Sequence, residues 1–154
     1  MHNMLNANTF TVNAIGLSMY PLVTPGIQLI FEHCLVADVR IGDIISFVTF
    51  SKADARRKTL QLITHRVIWK KGHMIYTKGD NNRYIDTPPE TGPRYVYRVV
   101  GIRYDRKLVG VQEKEYRLLK RLLLGYSYLS LIFPFWMLRG RRFFVRYFIG
   151  AWQD

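Results

Sequence analysis

The chain has 154 residues, 49% of them apolar, a single cysteine, and 23 basic against 11 acidic side chains, for a net charge of +12. That length and apolar content fit one domain with a real core and exclude a disordered chain. Cys34 alone can form neither an intrachain disulfide nor a cysteine zinc cluster, and its apolar neighbours mark it as a packed, inert thiol.

The first residues carry no basic region followed by an apolar run, so no secretory signal is expected and the body of the protein is assigned to the cytoplasm. Phe10 to Ile15 alternates apolar with small or polar residues, the pattern of a half-buried strand. Gly16 is expected to allow a tight bend or a close backbone approach, and Pro21 disfavours helix at Tyr20. Ser18 is therefore expected at a strand end on a stiff segment, its hydroxyl presented. Leu22 to Gly26 reads as a turn. Ile27 to Phe31 and Cys34 to Val36 read as two strands broken at Glu32 and His33. A turn at Arg40 to Asp43 leads into a strand from Ile44 to Phe50, and Ser51 to Thr59 reads as an exposed basic loop.

Leu60 to Trp69 reads as a strand carrying His65, and His73 to Thr77 as another. A Gly79-Asp80-Asn81-Asn82 turn follows, then a proline-rich loop over Thr87 to Pro93. Tyr95 to Tyr104 is a strand rich in Tyr, Val and Ile, and Leu108 to Val111 is expected to pair back on it. Short strands punctuated by turns predict a mainly β domain over 1–112, its coiled sheets closing a small barrel.

The period then changes. From Lys114 to Leu124, Tyr116, Leu118, Leu119, Leu122 and Leu123 among Lys and Arg predict an amphipathic helix. It runs into the uncharged stretch Leu122 to Leu138, about 25 Å as a helix against about 30 Å of hydrocarbon, which is marginal for a span. Phe143, Phe144, Tyr147, Phe148 and Trp152 surround Arg146. From Arg103 onward eleven basic residues face four acidic ones. Residues 113–154 are thus expected to form a helical, apolar-basic tail lying against an anionic membrane surface, with packing on the β domain or on a partner as the alternative and nucleic acid ranked below both.

Three residue types in three distant boxes carry chemistry. A serine hydroxyl becomes a nucleophile when a base takes its proton, and the base needs a third group to orient it. Ser18, His65 and a carboxylate at Asp80 or Asp86 supply these roles. His2, His33 and His73 lack partners at metal spacing, Asp43 is expected to stabilise its own turn, and no metal or cofactor is implied.

Gly16-Leu17-Ser18-Met19-Tyr20-Pro21, Gly42-Asp43-Ile44-Ile45 with Phe47, His65-Arg66-Val67-Ile68, and Gly79-Asp80-Asn81-Asn82 with Asp86 follow one another from Ile15 to Ile102. This ordered set resembles the signal peptidase I family of membrane-associated serine endopeptidases, in the branch where a histidine replaces the general-base lysine. The resemblance implies a fold of the signal peptidase and self-cleaving-repressor (LexA-like) type. It implies Ser18 as nucleophile, His65 as general base, Asp86 as its orienting carboxylate and Asp80 as a second acidic group supporting the site. An imidazole suits the base role, because its unperturbed pKa of about 6.5 leaves it mostly neutral at pH 7.

With Gly16 two positions before the serine, the oxyanion would fall to backbone N–H groups, that of Ser18 among them. Two features depart from the family: Pro25-Gly26-Ile27 lacks the usual Asp after Gly, and about fifteen residues stand where a membrane helix is usual. The expected function is cleavage of a dedicated precursor or leader peptide by an acyl-enzyme route near the membrane. The alternatives are a self-cleaving repressor-like Ser-Lys peptidase, with Lys52 or Lys58 as base, and a non-catalytic basic adaptor for membrane or nucleic acid.

Overall fold

The computed structural model describes residues 8–50, 60–86, 95–105, 107–111 and 114–132. The basic loop with Lys52 and Lys58, the proline-rich loop and the tail beyond 132 lie outside them. Among the described residues, seven strands and one α-helix follow in order: β1 (Thr9–Asn13), β2 (Gln28–Leu35), β3 (Ile44–Phe50), β4 (Leu60–Lys71), β5 (Met74–Lys78), β6 (Tyr95–Tyr104), β7 (Lys107–Gly110) and α1 (Lys114–Ile132), with a 3-10 turn at Val36–Asp38. All strand pairs are antiparallel, in one sheet ordered β1-β2-β6-β3-β4-β5, with β7 also paired to β6. The protein is mainly β with a C-terminal helix, as its alternation and its late change of period predict.

One expectation fails. Glu32 and His33 do not break a strand; β2 is continuous, and its irregularity is a bulge between Ile30 and Phe31. Both polar residues find partners across the sheet. Glu32 accepts hydrogen bonds from the Arg98 guanidinium, and the His33 ring stacks on Tyr95 at 4.8 Å. A polar pair ends a strand only where its side chains lack such neighbours.

Strand alternation sends neighbouring side chains of β4 to opposite faces. On one face Val67 joins a core with Cys34, Val36, Val39, Ile45 and Val96. On the other, a larger core gathers Met19, Leu22, Phe31 and Val99 with Tyr116, Leu119 and Leu123 of α1. The helix is also held by polar contacts. Lys120 Nζ reaches Asp43 Oδ1 at 2.6 Å, and Tyr128 donates its hydroxyl to the Ile68 carbonyl. Asp43 Oδ2 accepts the Arg40 N–H at 2.9 Å, so this carboxylate fixes its turn and seats the helix at once.

Candidate active site

His65 lies in the middle of β4, opposite Ile45 of β3, and is buried. Its Nδ1 is 2.6 Å from Asp86 Oδ2. An ionised carboxylate only accepts, so Nδ1 donates; in the neutral ring that tautomer leaves the lone pair on Nε2. The same Oδ2 accepts the Thr77 hydroxyl at 2.6 Å, and Asp86 N–H donates to the Thr77 carbonyl at 2.8 Å. Thr77 pairs with Val67, two residues beyond His65 and on the same face. The imidazole is therefore oriented by a carboxylate that is itself held at two points, an arrangement that fixes tautomer and ring plane.

Asp80 does something different. Arg66 grips it with Nε to Oδ1 at 2.8 Å and Nη2 to Oδ2 at 2.6 Å, while Arg66 Nη1 donates to the Gly42 carbonyl at 3.0 Å. Both side chains are wholly buried. Burial opposes the Arg66 charge, but the paired Asp80 carboxylate and Tyr116 together outweigh it and raise the guanidinium's pKa. The sequence left Asp80 and Asp86 open as partner of the base; the structure puts Asp86 on His65 and Asp80 on Arg66, behind the sheet.

Ser18 follows β1 in a half-buried turn, between exposed Leu17 and buried Met19. Its carbonyl accepts the Asn81 N–H at 2.7 Å, and Asn81 Nδ2 donates to the Leu17 carbonyl at 3.0 Å. The serine segment is thus fastened to the turn that lies between Thr77 and Asp86. Gly79 makes the close approach possible, since a Cβ there would stand 2.7 Å from the Ser18 carbonyl oxygen. Of the two expectations at Gly16, a tight bend or a close approach, the second does not hold, since a Cβ there would meet nothing within 4 Å. Among the described residues no hydrogen bond joins the Ser18 hydroxyl to His65, so two members of the expected set are in contact and the third is held by its backbone to the same turn.

Lys78 was not singled out by sequence. It lies wholly buried on the Arg66 face of β5, its Nζ donating to Ser127 Oγ of α1 at 3.2 Å and to the Gly79 carbonyl at 3.1 Å. Burial pushes its pKa down from 10.5 to about 8, against the opposing pull of Asp80. A serine beside a lysine of lowered pKa has the make-up of a Ser-Lys dyad, but Ser127 is also fully buried and no peptide can reach it. The only advance signal was the polar Thr-Lys pair at the end of a strand, just before the glycine turn.

No grouping of three His, Cys, Asp or Glu side chains suited to a metal ion occurs among the described residues. No family model, curated protein or solved structure matches the chain.

Proposed function

We propose that the chain is a serine endopeptidase of signal peptidase I-like type, with Ser18 as nucleophile, His65 as general base and Asp86 as the group that orients it. The observation that carries this reading is the Thr77–Asp86–His65 chain of hydrogen bonds, which leaves His65 Nε2 as an acceptor, on a turn that also anchors the Ser18 backbone. Catalysis needs the Ser18 hydroxyl within about 3 Å of Nε2, a contact that tightens in many enzymes only once substrate is bound. Nε2 would take the hydroxyl proton as Oγ attacks the scissile carbonyl. It would return that proton to the departing amine, leaving an acyl-enzyme for water to hydrolyse. Asp80 supports the site from behind by fixing Arg66, the residue next to the base.

The substrate in this reading is a precursor or leader peptide, lying extended along a sheet edge, and the fold is of the signal peptidase and self-cleaving-repressor type. The protein works in the cytoplasm at a membrane surface. None of the described helices is long and apolar enough to cross a bilayer.

The test is to treat the full chain with a fluorophosphonate probe and locate the adduct by mass spectrometry. Co-production with candidate precursors would then compare product masses with and without Ser18. A single adduct on Ser18 that disappears in Ser18→Ala, His65→Ala and Asp86→Ala is expected. Cleavage retained by Ser18→Ala would overturn the assignment.

A further inference from the structure

α1 has two apolar stripes. One is the buried set Tyr116, Leu119 and Leu123, continued by Ser127 and Ser130. The second consists of Leu118, Leu122, Leu129 and Ile132, which are 63%, 37%, 48% and 74% exposed. Its members fall four, seven and three apart, so they share one line on the helix, opposite the buried line. Leu and Ile along this line form an exposed apolar surface of the kind that marks an interaction site, because burial of apolar area is the main gain in association.

The charge around this line selects the occupant. Arg117 and Arg121 are exposed along one border, and residues 116–132 contain no acidic side chain. A second copy of the chain would bring another +12 against this one, whereas an anionic lipid surface attracts it. An apolar stripe edged by Arg on a helix too polar to span is the make-up of an interfacial helix.

The face beneath α1 fixes the orientation. The helix packs on the side of the sheet that carries Arg66 and Lys78, and His65 and Thr77 lie on the other side of the same two strands.

We infer that α1 docks the protein on an anionic phospholipid bilayer through Leu118, Leu122, Leu129 and Ile132, with the His65 face of the sheet turned toward the water. Substrate then reaches the site from the aqueous phase, and the bilayer serves as an anchor. The docking does not rest on the peptidase reading, because binding is measured without substrate and Ser18→Ala should bind as the wild type does.

The experiment uses the full chain with phosphatidylcholine vesicles, with and without phosphatidylglycerol. The wild type is expected to float with the anionic vesicles and to release at high salt. Leu118→Ser with Leu129→Ser should lower partitioning by about tenfold or more, and Arg117→Glu with Arg121→Glu should weaken the preference for anionic lipid. The altered side chains are exposed, and circular dichroism checks that both variants stay folded. A leucine variant that floats like the wild type overturns the inference. So does a wild-type dimer that the same variant dissociates, since a second copy then covers the stripe. For orientation, a bimane probe on Ile132→Cys should be quenched by nitroxide lipids and one on Ile85→Cys, beside Asp86, should not. Equal or stronger quenching at Ile85→Cys overturns the assigned orientation.

Discussion

Asp80 and Asp86 lie six positions apart, and the fold gives them separate tasks that two substitutions can tell apart. Asp86 meets the imidazole and a threonine hydroxyl at the half-buried rim, whereas Asp80 neutralises a guanidinium in a dry interior. Asp86→Asn keeps the shape but replaces an acceptor with an amide that favours the wrong imidazole tautomer. Labelling of Ser18 by a fluorophosphonate should slow by about a thousandfold or more with little change in the urea midpoint. Asp80→Ala leaves Arg66 charged and unpaired in the core, and should destabilise the fold by roughly 3–5 kcal/mol in urea titration. If Asp80→Ala spares stability while Asp86→Asn abolishes it, the roles drawn from the geometry are reversed.

Among the described elements, the end of β5 and its turn join four other segments. Thr77 holds Asp86, Lys78 holds α1, Gly79 and Asn81 seat the Ser18 backbone, and Asp80 holds Arg66. Gly79→Ala is the smallest lesion that reaches the serine without touching it. The added methyl would meet the Ser18 carbonyl and the Asn82 side chain at under 3 Å, so the serine segment must move. Ser18 labelling should fall at least tenfold while far-ultraviolet circular dichroism stays close to wild type.

The strands of this region were legible in the sequence. β6 shows the Tyr, Val and Ile content of a strand, β4 reads as a strand bounded by turns, and Gly-Asp-Asn-Asn spells a turn. The roles of Thr77 and Lys78 were not, because each depends on a partner nine or more residues away that only the fold brings near. The helix was legible as amphipathic, but its second apolar line was not. Its leucines were read together as one run, whereas the packing divides them between core and surface.

At the scale of the molecule, stability should respond to alkali in two opposed stages. Lys78 releases its proton near pH 8 in the folded chain but near 10.5 once unfolded. Between those values the unfolded chain holds the extra proton, so stability rises with pH. Burial raises the pKa of Tyr104 and Tyr116, so above about pH 10 the folded chain keeps protons that the unfolded chain gives up, and stability falls. The urea midpoint should therefore climb from about pH 7.5 to 9, where the buried Cys34 thiol, its pKa raised from 9.0, begins to oppose the rise, and drop beyond about 10.5. Lys78→Met should flatten the climb and leave the drop. A wild-type midpoint that falls steadily over the first interval would contradict the buried ammonium.

His65 and Arg66 are neighbours in the chain, yet one lies on the face of the smaller core beside Asp86 and the other on the face beneath α1. Sliding β4 by a single residue against β5 would exchange them, placing the imidazole under the helix and the guanidinium at the rim. Each cation-forming side chain would then face the wrong acid. A chain out of register would lose the two-point grip of Arg66 on Asp80 in the dry interior and the Asp86 contact that orients the imidazole, so one pair of adjacent residues penalises misalignment on both faces of the strand at once.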